Sequence, residues 1–282
     1  MNTKINPFHE LYVGESIGPD KFVDLFSEVI VKHALDLFQP GHVILKGLPG
    51  TGKSMLLNLL KPTVRIAYAK AKKEFPVPLE LRKFIGAGIN LNRSGISDFG
   101  QRPIEEKGDK NKTTPIYFGD FLNYWVVADI FTSIKDLVTN DPTKSIAKEI
   151  GIDISEEKLS LLASKLASDD CWSGGLNGIK TFDDLIKKIN FRITQYRSFL
   201  NYNIETLPGD IKNTKTTIGI PISKTAELLR EYGIIKNDVE VYIRIDQYEE
   251  LAWLDNEQVS LGASYQEMVL KLLGPPLTLH NF

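Results

Sequence analysis

Apolar positions change period several times along the chain, and the changes divide it into elements. From Asp20 the residues Phe22, Val23, Phe26, Ile30, Val31, Ala34, Leu35 and Phe38 recur at helical spacing. They predict a helix over 20–38, with Asp20 as N-cap and Pro40-Gly41 as stop. Ahead of it, Pro7, Gly14, Gly18 and Pro19 break any period, so residues 6–19 read as an irregular arm. The apolar run 42–47 ends in glycine and predicts a buried strand. A glycine-rich turn and a helix over 53–60 follow. Residues 84–91 form a second strand candidate, and 116–118 a short strand leading into a helix over 119–138.

Residues 140–212 are mostly helical in pattern. One helix starts at Ile154-Ser155-Glu156-Glu157, and another spans 182–200, with a loop over 169–178 between them. A shorter helix is predicted over 225–232, and the run 239–245 is a strand that ends at Asp246. Strands separated by helices imply a parallel sheet with crossover connections. The expected fold is α/β, a parallel sheet flanked by helices, with a helical insertion at about 140–212. The expected organisation is an arm over 1–19 and one domain over 20–282.

Composition narrows the function. The 282 residues are 42% hydrophobic, enough for one large domain with a real core. A net charge of -2 gives no case for a nucleic-acid or membrane surface. The densest basic stretch is Lys187, Lys188, Arg192 and Arg197 on the polar side of the 182–200 helix, read as a solvated face. Cys171 is the single cysteine, so an internal disulfide is excluded, and the four histidines show no metal-ligand spacing. No apolar run approaches the roughly 18 residues that a membrane span needs. The longest, 124–131, is interrupted by Asp129. A cytoplasmic protein is expected.

The chemistry lies between the first strand and its helix. Gly47-Leu48-Pro49-Gly50-Thr51-Gly52-Lys53-Ser54 fits G-x-x-x-x-G-K-[ST], the phosphate-binding P-loop. The glycines let the backbone turn its N–H groups toward phosphates. Lys53 would neutralise the β/γ oxygens, and the Ser54 hydroxyl would ligate Mg²⁺. Such a loop calls for an acid at the end of a neighbouring strand, and Asp246 has that place. The next residue is Gln247, which cannot take a proton from water, so Glu249 or Glu250 is the candidate that polarises the attacking water. Lys110-Asn111-Lys112-Thr113 lacks the aspartate that reads guanine, which favours ATP over GTP.

Asn6-Pro7-Phe8 with Tyr12-Val13, Leu37-Phe38-Gln39-Pro40-Gly41, the segment GLPGTGKSMLLNLLKP and the strand end IDQYEEL together resemble prokaryotic origin-recognition-complex-like P-loop ATPases of the AAA+ class. The spacing of Asp246, Glu249, Glu250 and Leu251 is similar to the Walker B region of STAND-type signalling ATPases. The resemblance implies an ATP- and Mg²⁺-dependent switch that works with a protein partner or further copies of itself. Some members of such families act on DNA or in defence against phage. It also implies that Pro7-Phe8 would cover the adenine.

One departure stands out. Such folds continue past Asp246 with a strand bearing a polar sensor residue, another strand and a helical lid. Here about 36 residues follow, read as a loop, a helix over 264–273 and a tail without structured pattern. The C-terminal part is therefore expected to be incomplete and the lid absent. The alternatives that follow are a hydrolysis-deficient ATP-binding module, a fragment of a longer ATPase, or a small-molecule phosphotransferase.

Overall fold

The structure is a computed structural model that describes residues 17–48, 50–95, 98–99, 102, 104, 110–247 and 277–281. It is a mixed helix-and-strand fold whose strands pair in parallel. Strand β1 (His42–Lys46) pairs with β4 (Leu277–Asn281), in register from His42 opposite Leu277 to Lys46 opposite Asn281. Strand β2 (Phe84–Asn90) pairs with β3 (Glu240–Asp246), from Phe84 opposite Glu240 to Asn90 opposite Asp246. Parallel neighbours need crossovers, and helices supply them. Helices α1 (Pro19–Leu25), α2 (Lys53–Asn58) and α3 (Pro62–Lys70) precede β2. Between β2 and β3 lie α4 (Lys110–Thr139), α5 (Ile146–Ile150), α6 (Glu156–Ser168), α7 (Phe182–Leu200), α8 (Gly209–Asn213) and α9 (Ile220–Glu231).

Helix α4 organises the larger core. Tyr117, Phe118, Phe121, Leu122, Val127, Ile130 and Phe131 are all buried, so the helix is apolar over most of its circumference. The short strand expected at 116–118 is therefore helix. Pro115 removes one helical hydrogen bond, but burial of the aromatic residues on the helical period outweighs that cost. Helices α6, α7 and α9 pack around this core with β2 and β3. A smaller core beneath β1, α2 and α3 collects Phe22, Val31, Phe38, Leu56, Leu59, Val64 and Tyr68.

The single helix expected over 20–38 is three pieces: α1 and two 3₁₀ stretches, Glu28–His33 and Leu35–Phe38. Gly18 rather than Asp20 takes the N-cap position, with Pro19 in the first turn. Phe26 turns extended and its ring stacks on Phe22 at 4.9 Å. The β-branched run Val29-Ile30-Val31 has little helix propensity, so packing sets the path. Another expectation fails at the C-terminus, where the tail read as patternless contains β4.

Helix α7 matches its predicted span. Thr181 caps it, accepting from Asp184 N at 3.2 Å. Its basic side differs from expectation, because Arg192 is buried and pairs with the fully buried Asp120 of α4 at 2.8 Å.

Helix α4 also closes the outer edge of β2. Odd-numbered residues of β2 face β3, as in Leu91 N donating to Asp246 O at 3.1 Å. Two outward groups are met by side chains one helical turn apart on α4. Ser133 Oγ donates to Gly86 O at 2.9 Å, and Gly88 N donates to Asp129 Oδ2 at 2.8 Å. An edge strand is thereby covered.

Candidate functional site

The site forms at the C-terminal ends of the strands, where ligands bind in open α/β sheets. β1 ends at Lys46 and the chain enters the 47–54 loop. Gly50 and Gly52 have φ of +84° and +89°, left-handed values that a side chain would strain. Thr51 Oγ1 donates to Leu48 O at 2.9 Å and pins the turn. Leu56 N donates to Gly52 O at 3.0 Å and starts α2. The Glu28–His33 stretch lies alongside, since a Cβ on Gly52 would sit 3.6 Å from Ile30 Cδ1.

Lys53 is the first residue of α2, and its Nζ donates to Gly47 O at 2.7 Å and Leu48 O at 3.0 Å. Ser54 follows, and its Oγ donates to Asp246 Oδ1 at 3.0 Å. Gln247 N donates to the same oxygen at 3.0 Å, and Gln247 itself has φ +61°. The geometry thus brings together Gly47, Gly50, Thr51, Gly52, Lys53, Ser54 and Asp246. Pro49, Glu249 and Glu250 lie outside the described residues, as do Pro7, Phe8 and the helix expected at 264–273.

A second set of charges sits behind Asp246. Arg244 precedes it by two on β3, so both side chains leave the same face. Arg244 Nη2 pairs with Asp129 Oδ2 at 3.4 Å. Burial pushes the Asp129 carboxyl up, against Arg244 and the Gly88 N–H, which pull it down. Burial pushes Arg244 down, against Asp129 and Asp246. Lys61, between α2 and α3, is also pushed down, by burial and then by Arg244. Sequence reasoning assigned no role to Lys61, Asp129 or Arg244. Part of the signal was there: Asp129 interrupts the apolar run 124–131, and Arg244 lies with Glu240 in the run 239–245.

The polar stretch after β2 divides. Asn90 stands opposite Asp246 in register, and its Oδ1 accepts from Arg93 N at 3.0 Å. Ser94 is buried on Leu91 O. Arg102 turns to α7, where its guanidinium lies 4.0 Å from the centre of the Phe199 ring. Cys171 is half-buried, and burial and Asp169 push its thiol up to about 12, which disfavours the thiolate that a nucleophile needs.

The donor chemistry at Ser54 and Asp246 fits Mg²⁺: hard oxygens, two in number, with further places left for phosphate and water. Among the described residues no group of three or more His, Cys, Asp or Glu could cage a metal by itself. Nor is any helix there long and apolar enough to cross a membrane.

A lysine and a serine opening a helix after a parallel strand, with an aspartate from another strand on the serine, have the form of a nucleotide-binding module. The model of the ORC-CDC6-like family matches residues 10–252. The chain belongs to the ORC-CDC6-like family, and with it to the AAA+ class of nucleotide-binding ATPase modules. No curated protein and no solved structure matches the chain significantly.

Proposed function

We propose that the chain is an ATP-binding and ATP-hydrolysing molecular switch, working through the 47–54 loop and Asp246. The observation that carries this reading is the 3.0 Å hydrogen bond between Ser54 and Asp246, which joins the start of the helix after β1 to the end of β3. Lys53 and the loop N–H groups hold the phosphates. Ser54 and Asp246 hold Mg²⁺, which when bound neutralises charge on the phosphate oxygens. Glu249 or Glu250 polarises the attacking water. Catalysis is then mostly positioning and charge stabilisation.

The domain runs over 20–282 with a helical insertion at about 140–212, preceded by the arm 1–19. The cytoplasm is its place, and a protein partner or further copies of the chain complete its action. Association with DNA or a defence role follows from the resemblance alone. Salt-dependent binding to duplex DNA tests the first of these.

A second reading, ATP binding without turnover, is favoured by one residue. Gln247 stands where many such ATPases place a carboxylate, and an amide cannot accept the proton. Mg²⁺-dependent ATP binding and turnover, with Lys53→Ala as control, test both. Binding with turnover, both lost in the variant, supports the first reading. Binding without turnover supports the second, and no binding overturns both.

A further inference from the structure

Asp246 is held from three sides, and one of them is the main chain that follows it. Its carbonyl oxygen accepts from Leu91 N at 3.1 Å, just past the last register pair of β2 and β3. Its carboxylate oxygen Oδ1 accepts from Ser54 Oγ at 3.0 Å and from Gln247 N at 3.0 Å. The carbonyl of Asp246 and the N–H of Gln247 belong to one peptide group, and in a trans peptide they point in opposite directions. That group is therefore clamped at both ends, its oxygen on the chain leaving β2 and its N–H on the Asp246 side chain.

With this plane fixed, φ of Gln247 sets the direction in which the chain leaves β3. It is +61°, a left-handed value that a residue with a side chain rarely takes. Among the described residues, the other non-glycine residues with such a φ are Lys72, Lys144, Ser173 and Tyr202. Lys72 and Tyr202 follow α3 and α7, and Ser173 follows the 3₁₀ turn Asp170–Trp172. Left-handed residues are ordinary at such helix ends. Lys144 lies in the turn ahead of α5. Gln247 alone of these follows a strand, and it does so beside the carboxylate of the site.

We propose that Gln247 is a positioning residue that acts through its main chain. Its N–H holds Asp246 Oδ1, and its left-handed turn lets the chain depart without rotating the clamped peptide. Two donors on one oxygen fix the rotation of the carboxylate before a ligand arrives. The requirement at 247 is then a backbone conformation: glycine takes it freely, asparagine tolerates it, and a β-branched residue resists it. The proposal rests on the reading of Asp246 as the metal-side carboxylate, and it holds with or without turnover of ATP.

Binding of a fluorescent ATP analogue to the full chain, with and without Mg²⁺, tests it, and melting temperatures report folding. Gln247→Gly and Gln247→Asn should keep the wild-type gain in affinity from Mg²⁺ to within about twofold, since both reach a left-handed φ readily. Gln247→Val should lose about tenfold of that gain, the scale of one hydrogen bond to a charged group. Its Mg²⁺-independent binding and its melting temperature should stay close to those of Gln247→Gly. In an Asp246→Asn background, where the gain is already gone, Gln247→Val should change nothing further. Gln247→Ala, which strains the same turn less, should lose a smaller part of the gain and serves if Gln247→Val does not fold. A folded Gln247→Val, or Gln247→Ala in its place, that keeps the full gain overturns the proposal. So does a Gln247→Gly that loses as much as either, because the side chain is then what matters. A wild type without any gain from Mg²⁺, or a gain that survives Asp246→Asn, overturns the reading of Asp246 instead.

Discussion

Asp120 and Arg192 face each other across the interior at 2.8 Å, with side chains 0% and 4% exposed. The carboxylate also accepts from Tyr196 Oη at 2.7 Å and from Thr216 N at 2.8 Å. Arg192 Nη1 donates to Thr214 Oγ1 at 2.7 Å. A buried pair so fully bonded pins helices α4 and α7 to the 214–217 segment. Breaking it by Asp120→Asn or Arg192→Met should cost about 3–5 kcal/mol, because the remaining charge is stranded. Denaturant unfolding measures the loss. The double variant should lose less than the sum of the two single losses, since neither charge then remains.

Ser54 and Asp246 should fail together. Ser54→Ala and Asp246→Asn are expected to remove the Mg²⁺ dependence of nucleotide binding, about tenfold or more in apparent affinity, and to retain most of the Mg²⁺-independent component. Titration with a fluorescent ATP analogue, with and without Mg²⁺, checks this. Lys53→Ala should weaken binding under both conditions.

Gly86 and Gly88 leave no room for a side chain. A Cβ on Gly86 would fall 1.8 Å from Leu60 O, and one on Gly88 1.9 Å from Arg244 O. Both neighbours are backbone atoms, so the strands or the α2–α3 turn must shift. Gly86→Ala and Gly88→Ala should each destabilise by about 1–3 kcal/mol or more. Thermal unfolding measures the drop, and Gly209→Ala, where a Cβ meets nothing within 4 Å and φ is not positive, controls for crowding.

Asp141 sets a pH dependence. Burial raises its carboxyl, but bonds from Ile146 N and from the Thr143 hydroxyl and N–H outweigh burial and hold it below the ordinary carboxylate value. A depressed folded value means that its stabilisation is fully present above the unfolded value of about 3.9. It is lost as pH falls through the lower folded value. Asp141→Asn should therefore lower the melting temperature clearly at pH 6, and the gap to wild type should narrow as the pH falls toward 3 and below. A gap that stays constant over that range would count against the assignment.

The sequence disclosed elements whose signals are local. The α7 span was legible because Thr181, the acids at 183–184 and the i, i+3, i+4 apolar series agree. The 47–54 loop was legible because its chemistry needs a contiguous run. Asp246 was legible because a strand delivered it. What stayed hidden depends on partners distant in the chain. β4 is five residues long and follows a Pro-Pro pair, so only its pairing with β1 makes it a strand. The break within 20–38 comes from packing beneath β1. Asp129 interrupted an apolar run and Arg244 lay in a strand run with Glu240, but their meeting, 115 residues apart, is a fact of the fold.

The grip of Asp129 and Ser133 on β2 gives the sheet a handedness of access. On that flank two of the backbone groups that would greet an incoming strand, Gly86 O and Gly88 N, are already spoken for by α4. Another polypeptide could join there only by prising the helix away, and with it the carboxylate that steadies Arg244 beneath Asp246. Recruitment through main-chain pairing at that flank would thus loosen the nucleotide end of β3, so such assembly without disturbance of the site must proceed from the other side.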